Sequence, residues 1–231
     1  MKTQSVMNGI PNSPSGPITD RRNFLYGLTV LGLTSLFQKK AAAMPTFTSQ
    51  NDAITLTAQL GERGTGLDLS YQVTNKSDRT AYLFDILHGD YDGSVYPVID
   101  SCYATVEQGQ IVLSRQIVKV PENKLVERVN IPFVTAIKPG QSVNKSVKQV
   151  QPVFPWSPYT GHDEVPPASG TLSMNAYFRI GYFLGADGTS KLAKAVSTDQ
   201  GTFAAFDPFP FKSQQTLMVG PLGTIEVYDL S

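Results

Sequence analysis

The sequence predicts an all-β sandwich, and three observations support that prediction. After residue 44, alternating apolar–polar runs recur about every 10–15 residues. Clusters of Gly, Pro, Asn and Asp separate these runs, which is the turn chemistry expected between antiparallel strands. No segment keeps a helical apolar period over three turns, so no helix is expected there. This spacing of strands and turns is typical of sandwiches and barrels.

The first strands are the clearest. Residues 53–60 (AITLTAQL) and 67–74 (LDLSYQVT) alternate strictly and are separated by a glycine-rich turn. A polar turn at residues 75–78 then leads to an aromatic strand at 81–87. This succession resembles the start of immunoglobulin- and fibronectin-like exported domains. The resemblance implies an immunoglobulin-like β-sandwich and by itself implies no activity.

The later strands follow in order, with one placed at an edge. Pro97 cannot donate to a ladder, so residues 95–99 are expected to form an edge strand. Residues 215–219 and 224–228 are expected to end the chain as a hairpin around a Gly-Pro-Leu-Gly turn. The other strands are expected at residues 102–106, 111–118, 125–137, 143–150 and 172–184.

Two long segments are rich in proline and aromatic residues. Residues 151–170 contain five prolines, and residues 202–211 contain four phenylalanines and two prolines. Long loops are often functional, and aromatic side chains are enriched at protein interfaces. One interpretation is an interaction surface, and the other, which we favour, is that the rings plug one end of the sandwich. The interaction surface would comprise Trp156, Tyr159, His162, Phe206 and Phe209.

Residues 1–43 have the composition of an export signal. Two adjacent arginines precede residues 24–37, a run of 14 residues without a charge. That run is too short for a membrane span, which needs about 20 apolar residues. A short apolar core followed by Ala-Ala-Ala is typical of a cleavable signal peptide. We therefore expect cleavage between Ala43 and Met44, which leaves a single β-sandwich domain at residues 44–231.

The arginine pair indicates the export route. Arg21, Arg22, Phe24 and Leu25 match the pattern Ser/Thr-Arg-Arg-x-Phe-Leu-Lys, so the segment resembles a twin-arginine (Tat) signal. The residues at the Ser/Thr and Lys positions depart from that pattern. The resemblance implies that a folded domain is exported to the periplasm or secreted. An ordinary secretory signal and an uncleaved anchor are the alternatives.

Composition argues against two classes of partner. The signal holds five of the 19 basic residues and one of the 19 acids, which leaves 14 against 18 and a net charge of −4. This domain lacks the basic footprint of a nucleic-acid-binding protein and is not attracted to an anionic membrane. No stable membrane span is expected after cleavage. Cys102 is the only cysteine, so no internal disulfide forms and the thiol is expected to be buried.

The sharpest cluster of polar side chains is Asp85, His88, Asp90 and Asp92, followed by Gly93. Acids at a spacing of two resemble part of a calcium loop, although the remaining ligands of that loop are missing. His88 would suit a transition metal instead. We favour a polar turn between strands, because Asp and Gly are turn residues. No cofactor is therefore expected, with a divalent metal as the minor alternative.

Catalytic motifs are scarce in this sequence. His88 and His162 are the only histidines, and no Gly-x-Ser-x-Gly elbow is present to pair with either of them. The sequence also lacks His-Glu-x-x-His, paired cysteines at metal spacing and a glycine-rich nucleotide loop.

These observations favour a non-enzymatic periplasmic binding or protein-interaction module, with a protein partner or a small ligand. One alternative is a hydrolytic or metal-dependent enzyme that uses His88 or His162. Another is an exported enzyme inhibitor that presents residues 151–170 from a rigid sandwich.

Overall fold

Two β-sheets pack face to face in the part of the chain that the structure describes, which is residues 44–63, 66–91, 94–160 and 167–230 of a computed structural model. The predicted all-β sandwich is thereby confirmed. The described residues also include two single-turn 3₁₀ helices, Thr189–Leu192 and Phe211–Ser213. The strands are β1 (Phe47–Gln50), β2 (Ile54–Arg63), β3 (Gly66–Asn75), β4 (Ala81–Tyr91), β5 (Ser94–Val98), β6 (Tyr103–Glu107), β7 (Gln110–Arg115), β8 (Phe133–Ile137), β9 (Ser142–Val150), β10 (Gly170–Leu184), β11 (Lys194–Thr198), β12 (Gly201–Ala205) and β13 (Gln215–Asp229).

The smaller sheet has four antiparallel strands in the order β1-β2-β3-β9. In β3, Leu67, Leu69, Tyr71 and Val73 are buried against the other sheet, and the residues between them are more exposed. This is the alternation that the sequence predicts. β1 was not predicted, because its four residues (FTSQ) carry a single apolar side chain.

The larger sheet has nine strands. Its main path is β11-β12-β8-β4-β10-β7-β6, with β13 paired to β10 and β5 paired to β4. Strands β2, β3 and β9 thus face β4, β10 and β13.

Strand β4 leaves the sandwich partway along its length. It pairs with β10 only through Ala81–Leu83, and a β-bulge follows between Leu83 and Ile86. Beyond that point β7 takes its place and pairs in parallel with β10. The outer half of β4 continues into a hairpin with β5. The bulge therefore opens a fork between β4 and β10, as bulges do where a strand must bend.

The larger sheet is covered on both faces near this fork. Its inner face joins the main core between the sheets, where residues such as Leu69, Phe178 and Ile180 are fully buried. Its outer face is covered by residues 116–132 and 193–211, which we call the outer layer. Aromatic rings dominate the contact between them, with centroids about 5 Å apart: Tyr82, Phe84, Phe183, Phe206 and Phe209.

Two strand predictions are wrong. Only Phe133–Ile137 of the expected strand 125–137 is a strand, and the residues before it form a loop. Ile117 and Ile131 of this loop are buried in the aromatic cluster, and Pro132 cannot donate a hydrogen bond to a ladder. The expected final hairpin is instead one strand, β13, which pairs with β10 from Gln215 to Asp229. Between Val219 and Gly223, β13 has two residues more than the paired stretch of β10, and they form a bulge. Gly220 and Gly223 therefore belong to a bulge and not to a turn.

Candidate functional site

The predicted signal segment lies outside the described residues. This applies to Arg21, Arg22, Phe24, Leu25 and Ala43, whereas Met44 begins the described part and is exposed. Among the described residues, no helix is long and apolar enough to span a membrane.

A cleft of about 240 Å³ lies between the outer layer and the outer half of β4. Its walls are mainly apolar, and its polar groups are His88, Arg128, Asn130 and Asp207. The apolar lining residues come from β5, β8, β11, β12 and the loop before β8: Val95, Val129, Ile131, Phe133, Val196 and Ala205. A concave apolar site with a few polar groups is the usual form of a ligand pocket.

His88 is held firmly in the wall of this cleft. Its ring lies 5.0 Å from the ring of Phe133, centroid to centroid, and its Nε2 lies 2.9 Å from the carbonyl oxygen of Ile131. Because a carbonyl oxygen can only accept, Nε2 carries the proton and donates it. The bond fixes the ring against the loop before β8.

The rim of the cleft carries an ion pair between Arg128 and Asp207. The guanidinium is largely exposed and the carboxylate is mostly covered, so the pair presents both charges at the entrance. Asn130 lies beside it and is oriented by two tyrosines: its side chain accepts from the Tyr103 hydroxyl, and its backbone N–H donates to the Tyr159 hydroxyl.

The predicted metal ligands do not converge where the structure describes them. Asp85 is fully buried and faces the smaller sheet, where its Oδ2 lies 3.0 Å from Nζ of Lys145. His88 lies on the opposite side of β4, against Phe133. The β4 bulge and the alternation of a strand separate the two side chains. The side chain of Asp90, and Asp92 as a whole, lie outside the described residues. No group of three metal-ligating side chains is found within the described ranges.

The predicted aromatic interaction surface is not one surface. Tyr159 and Phe206 are buried, and Trp156 packs edge-on against Tyr103 while its backbone bridges to Ala104. Phe209 is half-buried in the aromatic cluster. His162 lies outside the described residues. These rings fill the interior beneath the loops, because burying an aromatic side chain is worth more than exposing it to solvent.

A buried arginine closes the fork between β4 and β10. Arg115 ends β7 and is completely buried. It donates to the carbonyl oxygens of Asp85 (2.7 Å), Ile99 (2.6 Å) and Ser101 (2.9 Å) and to the hydroxyl of Tyr71 (3.2 Å). Four of its five N–H groups are thus satisfied. Arg115 thus satisfies the Asp85 carbonyl at the bulge and two carbonyls between β5 and β6, which makes it a structural residue.

The outer face of the smaller sheet forms an open groove of about 490 Å³. Uncharged polar side chains line most of it, and some are bonded across strands, as in Gln72 to Asn144 (2.9 Å) and Thr48 to Thr57 (3.1 Å). Tyr71 and Lys145 also reach this groove. It is shallow and polar, whereas the cleft beside His88 is more enclosed and largely apolar.

Comparison with family models, with curated proteins and with solved structures found no match for this chain.

Three charged residues of the fork and the cleft escaped the sequence analysis, although two of them left a trace. Arg115 follows Ile111 and Leu113 at inward positions of one strand, and Lys145 lies between inward Val143 and Val147. A charge at an inward position signals a buried partner. Arg128, by contrast, lies in a loop, and nothing in the local pattern connects it to Asp207.

Proposed function

We propose that this chain is an exported, non-enzymatic binding module that holds a partner's side chain or a small ligand in the cleft beside His88. The observation that supports it is the lining of that cleft: apolar walls, a polar rim and a histidine fixed by its bond to Ile131. Such a lining stabilises an apolar group by burial and orients it by a few polar contacts.

The lining argues against nucleophilic catalysis. The described residues that line the cleft include no Ser, Thr, Cys, Lys or Tyr that could attack a substrate. The rim charges of Arg128 and Asp207 neutralise each other, so neither is poised as an isolated acid or base.

The size of the cleft limits its occupant. Pockets for drug-sized ligands measure about 300–1,000 Å³, and this cleft measures about 240 Å³. It therefore suits one aliphatic or aromatic side chain of a protein partner, or a ligand of similar size. The ion pair at the rim suits a neutral or zwitterionic group next to that side chain.

Filling the cleft tests this function. Val196→Trp on β11 places an indole into the cleft, whereas Ala195→Trp places the same ring on the exposed opposite face of β11. The full chain with a C-terminal tag is recovered from the periplasm with its bound species. We expect V196W to lose a species that the unchanged chain and A195W both retain. Equal retention by all three, or no retained species, would overturn the assignment of the cleft.

Export by the Tat route is part of the same proposal. The support is the match at Arg21, Arg22, Phe24 and Leu25. Changing both arginines to lysine keeps the charge but removes the paired guanidinium groups, so a fluorescent fusion should remain in the cytoplasm. Changing Lys39 and Lys40 to arginine is the matched control and should leave export intact. Periplasmic fluorescence from the double lysine variant would rule out this route.

A metal-dependent or hydrolytic enzyme is the second candidate, because His88 lines a cleft. It predicts a bound transition metal in the purified chain, and loss of that metal in His88→Gln. Elemental analysis of both proteins after purification without chelators decides the question. A metal-free chain would leave only the binding function.

A further inference from the structure

One ion pair joins the two sheets inside the sandwich. Asp85 belongs to β4 of the larger sheet and Lys145 to β9 of the smaller one. Lys145 Nζ lies 3.0 Å from Asp85 Oδ2. The aspartate side chain is fully buried, and the lysine side chain is 24% exposed. The pair thus forms a direct side-chain link between the layers at the fork closed by Arg115.

The carboxylate of this ion pair lacks the hydrogen bonds that normally stabilise a buried carboxylate. Neither carboxylate oxygen of Asp85 accepts a hydrogen bond from the described residues, even though Nζ is in contact with Oδ2. Lys145 Nζ instead donates to Oγ1 of Thr135 at 2.9 Å. Buried carboxylates are normally stabilised by several hydrogen bonds, and one without them requires an explanation.

We propose that Lys145 and Asp85 condense to an intramolecular amide that covalently links the two sheets. Within the pair, the ammonium group passes one proton to the carboxylate, giving a neutral amine and a neutral acid. The Nζ lone pair then attacks Cγ, so a C–N bond forms and one C–O bond breaks. The leaving hydroxyl departs with a second proton from Nζ as water. The products are one secondary amide and one water, and no oxidant or co-reactant is required.

Burial favours this step in two ways. A low-polarity interior disfavours charge, so proton transfer within the pair costs less there than in water. Holding the two groups in contact, with Nζ 3.0 Å from Oδ2, also replaces a bimolecular encounter by an intramolecular step.

The Arg115 guanidinium lies close to the reacting carboxyl group. It is bonded to the backbone carbonyl of Asp85 and to the Tyr71 hydroxyl, so its positive charge is fixed there. That charge stabilises the negative oxygen of the tetrahedral intermediate. The finished amide is shielded from water and therefore from hydrolysis. The product accumulates for this reason, even when the neutral amine and neutral acid are the minor form of the pair.

The alternative is an unreacted lysine that protects the sheet edge. β9 is an edge strand, and an inward-pointing charge on such a strand discourages pairing with another chain. That role needs the charged amine, whereas condensation abolishes it. The two explanations therefore differ in the covalent state of one nitrogen, which mass spectrometry measures directly.

The intact mass of the full chain recovered from the periplasm is the decisive measurement. We expect a mass below that of the sequence, corrected for signal cleavage, by one water, about 18 Da. Digestion should yield a branched peptide that joins the segments of Asp85 and Lys145. Lys145→Arg should restore the full mass, and Lys148→Arg on the same strand, with an exposed side chain, should not. A full unmodified mass together with an unlinked Lys145 peptide from the unchanged chain would overturn the proposal, whether or not the variants fold.

Discussion

The main core and the outer layer bury apolar side chains by different means. The main core takes mostly aliphatic residues from alternate positions of strands that face each other. The outer layer contributes rings and aliphatic side chains from loops, which meet the outer face of β4 and β10. Alternation within a strand is a local property, whereas Ile117 and Phe206 meet only because the chain returns from distant positions. The alternation within strands thus specifies the main core, whereas contacts between distant loops and the sheet specify the outer layer.

The largest loss of stability is expected from substitution of Arg115, because this residue lies where the main core and the outer layer separate. Arg115→Met keeps most of the volume but leaves the buried Asp85 carbonyl, the part-buried Ile99 and Ser101 carbonyls and the Tyr71 hydroxyl without this donor. We expect the free energy of unfolding to fall by about 3–5 kcal/mol, in both regions together. Urea denaturation followed by tryptophan fluorescence and circular dichroism measures this change.

The matched control is Arg179→Met. Arg179 forms a bidentate pair with Glu107 at 2.9 and 2.8 Å, but both side chains are partly exposed. Solvent screens that pair, so its loss should cost only about 0.5–1 kcal/mol. Equal losses of unfolding free energy in the two variants would mean that the buried bonds of Arg115 contribute no more to stability than the partly exposed ion pair of Arg179.

The second test asks whether the outer layer opens by itself. Phe206→Ala removes a buried ring that contacts Tyr82 and Phe183, at a cost of about 3 kcal/mol. We expect hydrogen exchange to accelerate in β11 and β12 while β2 and β3 keep their protection. Leu69→Ala in the main core should accelerate exchange in every strand. Uniform acceleration by F206A would show that the two regions unfold as one unit.

These regions also differ in how much the sequence could predict. The inward positions of β3 and the long strand β10 follow from alternation alone. The bulge in β4 and the parallel pairing of β7 with β10 depend on contacts between distant segments, which no local pattern encodes.

The candidate site was predicted only in part. His88 was singled out by its chemistry, and it does line a cleft. Its neighbours Arg128 and Asn130 come from the loop before β8 and Asp207 from the segment after β12, so their proximity is a property of the outer layer. Asp85 was grouped with His88 by spacing, but the strand and its bulge direct the two side chains to opposite sides.

The third test uses pH to probe the main core. Burial raises the pKa of the Cys102 thiol from 9.0 to about 11. The unfolded chain therefore releases this proton first, and stability falls as pH rises from about 9 to about 11. The loss attributable to the thiol is about 2–3 kcal/mol. Below pH 8 the thiol is protonated in both states and contributes no pH dependence.

Cys102→Ala isolates this contribution. Burial also raises the pKa of Tyr71 and of Tyr103, so some loss of stability above pH 10 should remain in the variant. Between pH 9 and 10 the denaturation midpoint of the unchanged chain should decline more steeply than that of C102A. The same slope in both proteins would place the titrating group elsewhere.

The smallest test concerns the bulge that keeps β13 paired with β10. Gly220 has φ 146°, and a Cβ there would lie 2.7 Å from Cδ1 of Tyr177 and 3.1 Å from the carbonyl oxygen of Ala176. Gly223 has a similar φ of 150°, but a Cβ there would meet no atom within 4 Å. Both alanine variants therefore strain the backbone by about 1–3 kcal/mol, and G220A adds a steric cost of about 1 kcal/mol. The difference between their urea midpoints measures the contact with Tyr177 alone. Equal midpoints would mean that the ring of Tyr177 moves aside freely, in which case backbone conformation and not packing determines where β13 bulges.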